Sequence, residues 1–173
     1  MRRILLLVFV FIFVLGLPVF GITLQEAYQN ALPGLGYDRL IELDPSHTYT
    51  GGLGIIGESV GIKGHGAVID LQGGSIAVSG SSVIDMDACV VINGSNGLLV
   101  QNETTAFITQ CSFYGNQKGI KFEGTSGSVT VLNTILAFNT EYGFACDEGS
   151  FIDLRYLDAY QNTLENYVKW CSG

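Results

Sequence analysis

The chain has 173 residues, with 16 acidic against 8 basic side chains and a formal net charge of −8. Nucleic acid is excluded as an expected partner, because phosphate binding needs clusters of Lys and Arg and none occurs. With 47 % hydrophobic residues, 23 Gly and 3 Pro, the composition points to one domain with a real core and many tight turns, and it excludes a disordered chain.

The first 21 residues read as an export signal. Met1-Arg2-Arg3 supplies positive charge, residues 4–15 form an unbroken apolar run, and Pro18 ends any helix. Val19 and Gly21 suit the small-residue positions before a cut after Gly21. The expected location is therefore secreted, periplasmic or cell surface. Membrane attachment follows only if the leader stays uncleaved as an N-terminal anchor.

Thr23-Leu24-Gln25-Glu26 has the form of a capping box, and the pattern predicts a helix to about Leu32, stopped by Pro33-Gly34. Leu24, Ala27, Tyr28 and Ala31 share one face, so residues 22–36 are assigned as an N-terminal cap. A strand is predicted over residues 40–43. It leads into the turn Asp44-Pro45-Ser46-His47-Thr48-Tyr49-Thr50-Gly51.

From residue 60 to residue 166 the chain repeats. Asp70, Asn93, Asn116, Asn139 and Asn162 stand 23 residues apart, a period expected of a solenoid in which each repeat is one turn of chain laid on the last. Three residues before each stand Ala67, Val90, Phe113, Leu136 and Ala159. Ten before stand Val60, Val83, Ala106, Val129 and Ile152, and eight before stand Ile62, Asp85, Ile108, Val131 and Leu154. Beyond each ladder turn, apolar residues alternate at Ile76 and Val78, Leu98 and Val100, Ile120 and Phe122, and Phe144 and Cys146, the period of a strand with one buried face. Residues 37–173 are thus expected to form an all-β, single-stranded parallel β-helix of about five coils, with three short strands in each. The five ladder residues are assigned a structural role, because Asn tolerates a left-handed corner and its amide both donates and accepts.

Asp85 breaks its column. Either it points inward among aliphatics, which is costly for a carboxylate, or a one-residue bulge in Val83-Ile84-Asp85-Met86-Asp87 buries Ile84 and Met86 and turns both aspartates outward. The desolvation cost favours the bulge. Asp85 and Asp87 would then be weak Ca²⁺ candidates, the one cofactor this sequence suggests. Cys111 and Cys146 fall in apolar columns and are read as buried thiols, while no CxxC or CxxH spacing supports zinc. Tyr167-Val168-Lys169-Trp170-Cys171 looks like the start of a further coil. Either the sequence is a fragment of a longer solenoid, or the C-terminal edge meets another copy or a partner, or Trp170 folds back over it.

The short helix, the strand and the proline-containing turn ending in Tyr49-Thr50-Gly51, followed by these repeats, resemble right-handed parallel β-helices of the pectin-lyase-like superfamily. Within it they look most like the periplasmic NosD-like and carbohydrate-associated repeats. The resemblance covers residues 24–166; it implies the fold strongly and function weakly.

That resemblance brings in a polysaccharide lyase or glycoside hydrolase as one reading. Such enzymes need grouped carboxylates and a base, held between long loops. The outward pairs after the ladder turns, Ala77 and Ser79, Leu99 and Gln101, Lys121 and Glu123, Ala145 and Asp147, carry few carboxylates, and the loops behind them are short. The preferred reading is an exported, non-catalytic module presenting an elongated surface to a polysaccharide or a cell-surface protein. Its candidate ligand-binding residues are Gln101, Lys121, Glu123, Asp147, Tyr114 and Tyr160, and the outward set Ile84, Phe107 and Leu132 is a candidate partner contact. A third reading is a self-associating surface solenoid.

Overall fold

The computed structural model describes residues 21–124, 126–147, 151–168 and 171. The expected leader lies outside this set, apart from Gly21, and so does Trp170.

The chain winds as a β-solenoid of about five turns whose strands form three parallel sheets. The first face stacks Tyr37–Glu42, Ser59–Lys63, Val83–Asp87, Thr105–Thr109, Ser128–Leu132 and Phe151–Arg155. The second stacks the three-residue strands Thr48–Thr50, Val68–Asp70, Val90–Ile92, Ser112–Tyr114, Ile135–Ala137 and Asp158–Tyr160. The third stacks Leu53–Ile56, Ser75–Ser79, Asn96–Gln101, Lys118–Glu123, Tyr142–Cys146 and Glu165–Tyr167.

Alternation sends one set of side chains from each face into a shared interior. From the first face come Val60, Ile84, Ala106, Val129 and Ile152, with Ile62, Met86, Ile108, Val131 and Leu154 beside them. From the second come Tyr49, Ile69, Val91, Phe113, Leu136 and Ala159. The third supplies the expected pairs Ile76/Val78, Leu98/Val100, Ile120/Phe122 and Phe144/Cys146, all buried. Each fully buried aliphatic or aromatic side chain contributes roughly 1.5–3 kcal/mol.

Two interior columns correct the sequence reading: Ile84 stands where Val83 was assigned, and Ile69 and Val91 where Ala67 and Val90 were. The cause is uneven coil length. The strand Val83–Asp87 pairs with both neighbours without a register break, so the bulge assigned to it is absent. The extra residue lies instead in the turn at residues 80–82, against a two-residue turn at 57–58. The next turn, residues 88–89, is two shorter than its predecessor at 64–67. Ile84 and Met86 are buried as the desolvation argument required, and Asp85 and Asp87 face outward, half-buried. Burial of Ile84 also dissolves the outward set in which it was grouped with Phe107 and Leu132.

The N-terminal end is covered by the helix Leu24–Asn30. Glu26 N donates to Thr23 Oγ1 at 3.1 Å and Thr23 N donates to Glu26 Oε2 at 3.0 Å, the reciprocal capping box. Leu24 is fully buried over the first coil, with Ala27, Tyr28 and Ala31 packed beside it. The helix stops two residues before the predicted Leu32, because Leu32–Gly34 pairs antiparallel with Tyr37–Glu42. Leu35 and Gly36 turn this hairpin with φ of 51° and 90°, the left-handed pair that matches strand twist.

The corner between the second and third faces holds the ladder, which is shorter than the sequence suggested. Asn116 N donates to Asn139 Oδ1 at 3.0 Å and Asn139 N to Asn162 Oδ1 at 3.0 Å, while the Nδ2 of Asn116, Asn139 and Asn162 reach the carbonyls of Val91, Phe113 and Leu136. Asn116 and Asn139 are fully buried. Asn93 lies one position earlier, because Ile92 is in register with Tyr114, so Gly94 opposes Asn116 and its N–H donates to Asn116 Oδ1 at 2.8 Å. Asn93 is exposed and bonds Asp70 Oδ1 at 3.1 Å outside the corner. It adopts the left-handed backbone, φ 55°, that Gly115, Phe138 and Gln161 take in later coils. The buried asparagines do not adopt it.

Behind the ladder, Gly97, Gly119 and Gly143 are needed for close approach. A Cβ on Gly119 would lie 2.5 Å from the Gly143 carbonyl oxygen.

Cys146 corrects another expectation. It is bonded to Cys171, which is buried at the end of the last described coil. Cys89 and Cys111 are buried free thiols. The Cys111 thiol, and burial after it, hold the Cys89 thiol well above its usual range.

Two outcomes follow. Asn116→Leu orphans Gly94 N–H and the Val91 carbonyl, which costs about 3 kcal/mol and lowers the thermal midpoint by about 10 °C; an unchanged midpoint contradicts the ladder. Cys171→Ser speeds amide exchange in Tyr142–Cys146 and Glu165–Tyr167 without affecting the first coils, since solenoid coils stabilise only their neighbours. Uniform or absent change contradicts that picture.

Candidate functional site

The outward surfaces of the three faces differ in chemistry. On the first, Tyr37 crosses Gly61, where a Cβ would meet its ring, and its hydroxyl donates to Asp85. Lys63 Nζ lies 3.9 Å from Asp85 and 3.8 Å from Asp87, and Thr109 Oγ1 donates to Asp87 Oδ1 at 2.9 Å. The two aspartates proposed for Ca²⁺ thus share the ammonium of Lys63 in the place a cation would take. No group of three or more His, Cys, Asp or Glu is placed to hold a metal among the described residues.

On the third face the structure brings together three of the sequence-derived candidates. Glu123 accepts from Lys121 and from Gln101 Nε2, the latter at 2.9 Å, and the Lys121 contact followed by the Gln101 bond holds its carboxyl below the usual value. Asp147 is exposed at the end of the same face, its N–H donating to the Phe122 carbonyl at 3.2 Å.

Tyr114 and Tyr160 are elsewhere. They close strands of the second face, in register through Ala137, roughly 17 Å of strand away from Glu123. Phe138, which the sequence reading did not single out, fills the gap between them. Its ring lies 5.2 Å from that of Tyr114 and 5.4 Å from that of Tyr160, tilted at 52° and 76°, geometries that favour aromatic pairs by about 0.5–1.5 kcal/mol each. The three side chains are 51, 42 and 40 % exposed for Tyr114, Phe138 and Tyr160. The candidates therefore divide into an ion-paired cluster and an aromatic ridge, on different edges of the third face. The spacings of 24 and 22 residues from Tyr114 to Phe138 to Tyr160 were the available signal, hidden because Phe138 stands one position past Ala137, the residue in register with both tyrosines.

Each described Lys and Arg is paired with a carboxylate: Arg39 with Glu58 at 2.9 Å, Lys63 with Asp85 and Asp87, Lys118 with Glu141 at 2.7 Å, Lys121 with Glu123, and Arg155 with Asp153 at 2.7 Å. Two recesses of the described surface lie away from the ridge. One, lined by Ala27, Ala31, Leu32, Leu40 and Tyr49, is beside the capping helix, and another, at Ile152, Leu154, Leu157 and Cys171, is at the last described coil.

Stacked parallel strands in three sheets, with a buried corner ladder, define a β-helix. Residues 46–168 match the model of the right-handed β-helix region, and the chain belongs to that family. No curated protein and no solved structure gives a significant match.

Tyr37 provides a pH test. Its hydrogen bond to Asp85, then burial, then the Asp85 charge raise the phenol from 10 to about 12. A raised folded value means that this group's contribution is fully present below pH 10 and is lost as pH rises through about 12. Tyrosinate absorbance of the native protein, minus that of Tyr37→Phe, should show a single phenol ionising near 12; a difference centred near 10 contradicts the Asp85 contact.

Proposed function

We propose that this chain is an exported, non-catalytic β-helix module that presents the outer surface of its second face, edged by the aromatic ridge, to a glycan or to another protein. The observation that carries this reading is the ridge itself. Tyr114, Phe138 and Tyr160 are large apolar groups held at the surface one per coil, and contiguous exposed aromatics of this kind mark contact sites.

Catalysis is disfavoured by what the carboxylates and bases already do. A lyase base must be free to take a proton, and paired carboxylates must face the scissile bond. Here Lys63 is held by Asp85 and Asp87 on the first face, and Lys121 and Glu123 by each other on the third. Export rests on the leader read from the sequence.

The test is incubation with a panel of polysaccharides, with and without Ca²⁺, scored for binding and for new reducing or unsaturated ends. Retention without new ends, weakened about tenfold by Tyr160→Ala, is expected. New ends in either condition would overturn the non-catalytic reading.

A further inference from the structure

The second face has a property the other two lack. Its six strands, Thr48–Thr50 through Asp158–Tyr160, contain no Lys, Arg or His, and their outward residues include Val68, Val90, Ile92, Tyr114, Ile135 and Tyr160. Arg39, Lys63 and Arg155 lie on the first face and Lys118 and Lys121 on the third, each already paired with a carboxylate. His47 and His65 are confined to the turns leading into the first two strands of the second face, and His47 contacts Asp44 at 3.4 Å. Carboxylates do reach this face, at Asp70 and Asp158. Among the described residues, an anionic chain would meet two negative charges here and no unpaired Lys or Arg.

The shape of the face selects among uncharged partners. Six strands at ~4.8 Å give a length of ~24 Å, and three residues give a width of ~10 Å. That is about 240 Å², well below the ~800 Å² a partner contributes to a stable protein interface. An extended peptide adds to a sheet through free backbone groups, but the four inner strands are hydrogen-bonded on both sides by neighbouring coils. A narrow strip with apolar and aromatic side chains, the hydroxyls of Thr48, Thr50 and Ser112, and no free backbone along its four inner strands fits a linear polymer that offers C–H faces and hydroxyls.

We infer that the second face binds a neutral linear polysaccharide laid along the solenoid axis, with Tyr114, Phe138 and Tyr160 as its stacking edge, and that it rejects acidic polysaccharides. This rests on the module reading and specifies its ligand class.

The experiment compares native protein with Tyr114→Thr/Tyr160→Thr, a pair of exposed sites where Thr keeps strand propensity; an unchanged far-ultraviolet circular dichroism spectrum and a single cooperative unfolding transition verify the fold, the midpoint itself falling a few degrees with the two lost contacts to Phe138. Binding is measured to soluble β-glucan, xylan and mannan as neutral probes and to polygalacturonate and alginate as acidic ones, at low and high salt. The expected result is binding to at least one neutral polymer, insensitive to salt, at least ~10-fold weaker in the variant, with no binding to the acidic pair. Binding to an acidic polymer that weakens with salt would overturn the ligand class. If the double variant also abolished that binding, the module reading would stand while this inference failed. Neutral binding that the variant leaves unchanged would overturn the assignment of the site. Silence on all five polymers would overturn the inference, and the module reading would then rest on a protein partner.

Discussion

Inter-coil hydrogen bonding is the constraint from which the rest follows. Each strand of the second face is three residues long, far too short to persist alone, and it is held by the coil before and the coil after. Such stacking forces side chains at matched positions into columns. Inside, a column must be apolar or internally satisfied, as Ile76, Leu98, Ile120 and Phe144 are by packing, and Asn116, Asn139 and Asn162 by one another's amides and the corner carbonyls. Outside, the same geometry turns a one-residue choice per coil into a continuous strip. A tyrosine in one coil becomes a ridge when Phe138 and Tyr160 follow it.

Much of the interior was legible because apolar alternation and an average period of 23 residues survive small errors of register. The third-face pairs and the capping box at Thr23 and Glu26 stand where the pattern put them. What the constant period concealed was local variation. The three-residue turn at 80–82, one longer than that at 57–58, brings Ile84 rather than Val83 opposite Val60, and the three-residue turn at 102–104, one shorter than the stretch between Glu123 and Ser128, sets Val91 rather than Val90 opposite Phe113 and shifts Asn93 off the ladder by one position. Asn93 and Asn116 look equivalent in sequence. One sits exposed at φ 55° and the other is buried.

Features that depend on distant coils had no local signature. Lys63 lies between two aspartates more than twenty residues on, and Tyr37 reaches Asp85 over Gly61, so the weak cation site read from Asp85 and Asp87 meets a lysine instead. The Cys146–Cys171 bond joins a column position to the tail, which spacing alone could not pair. The division of charge among the faces is likewise a property of the winding. The sequence shows an acidic chain, whereas the fold shows where its few described cations lie and that each of these is engaged.

The central claim is that stacked coils assemble one aromatic-edged strip without cationic strand residues, which we propose as the recognition surface. Hydroxyl-radical footprinting in the presence of a saturating neutral polysaccharide tests it most directly. The account predicts protection at Tyr114, Phe138 and Tyr160, with Phe151 and Tyr156, also exposed but outside the second face, as reactive as in the free protein. Protection at Phe151 and Tyr156 with none along the ridge would contradict it.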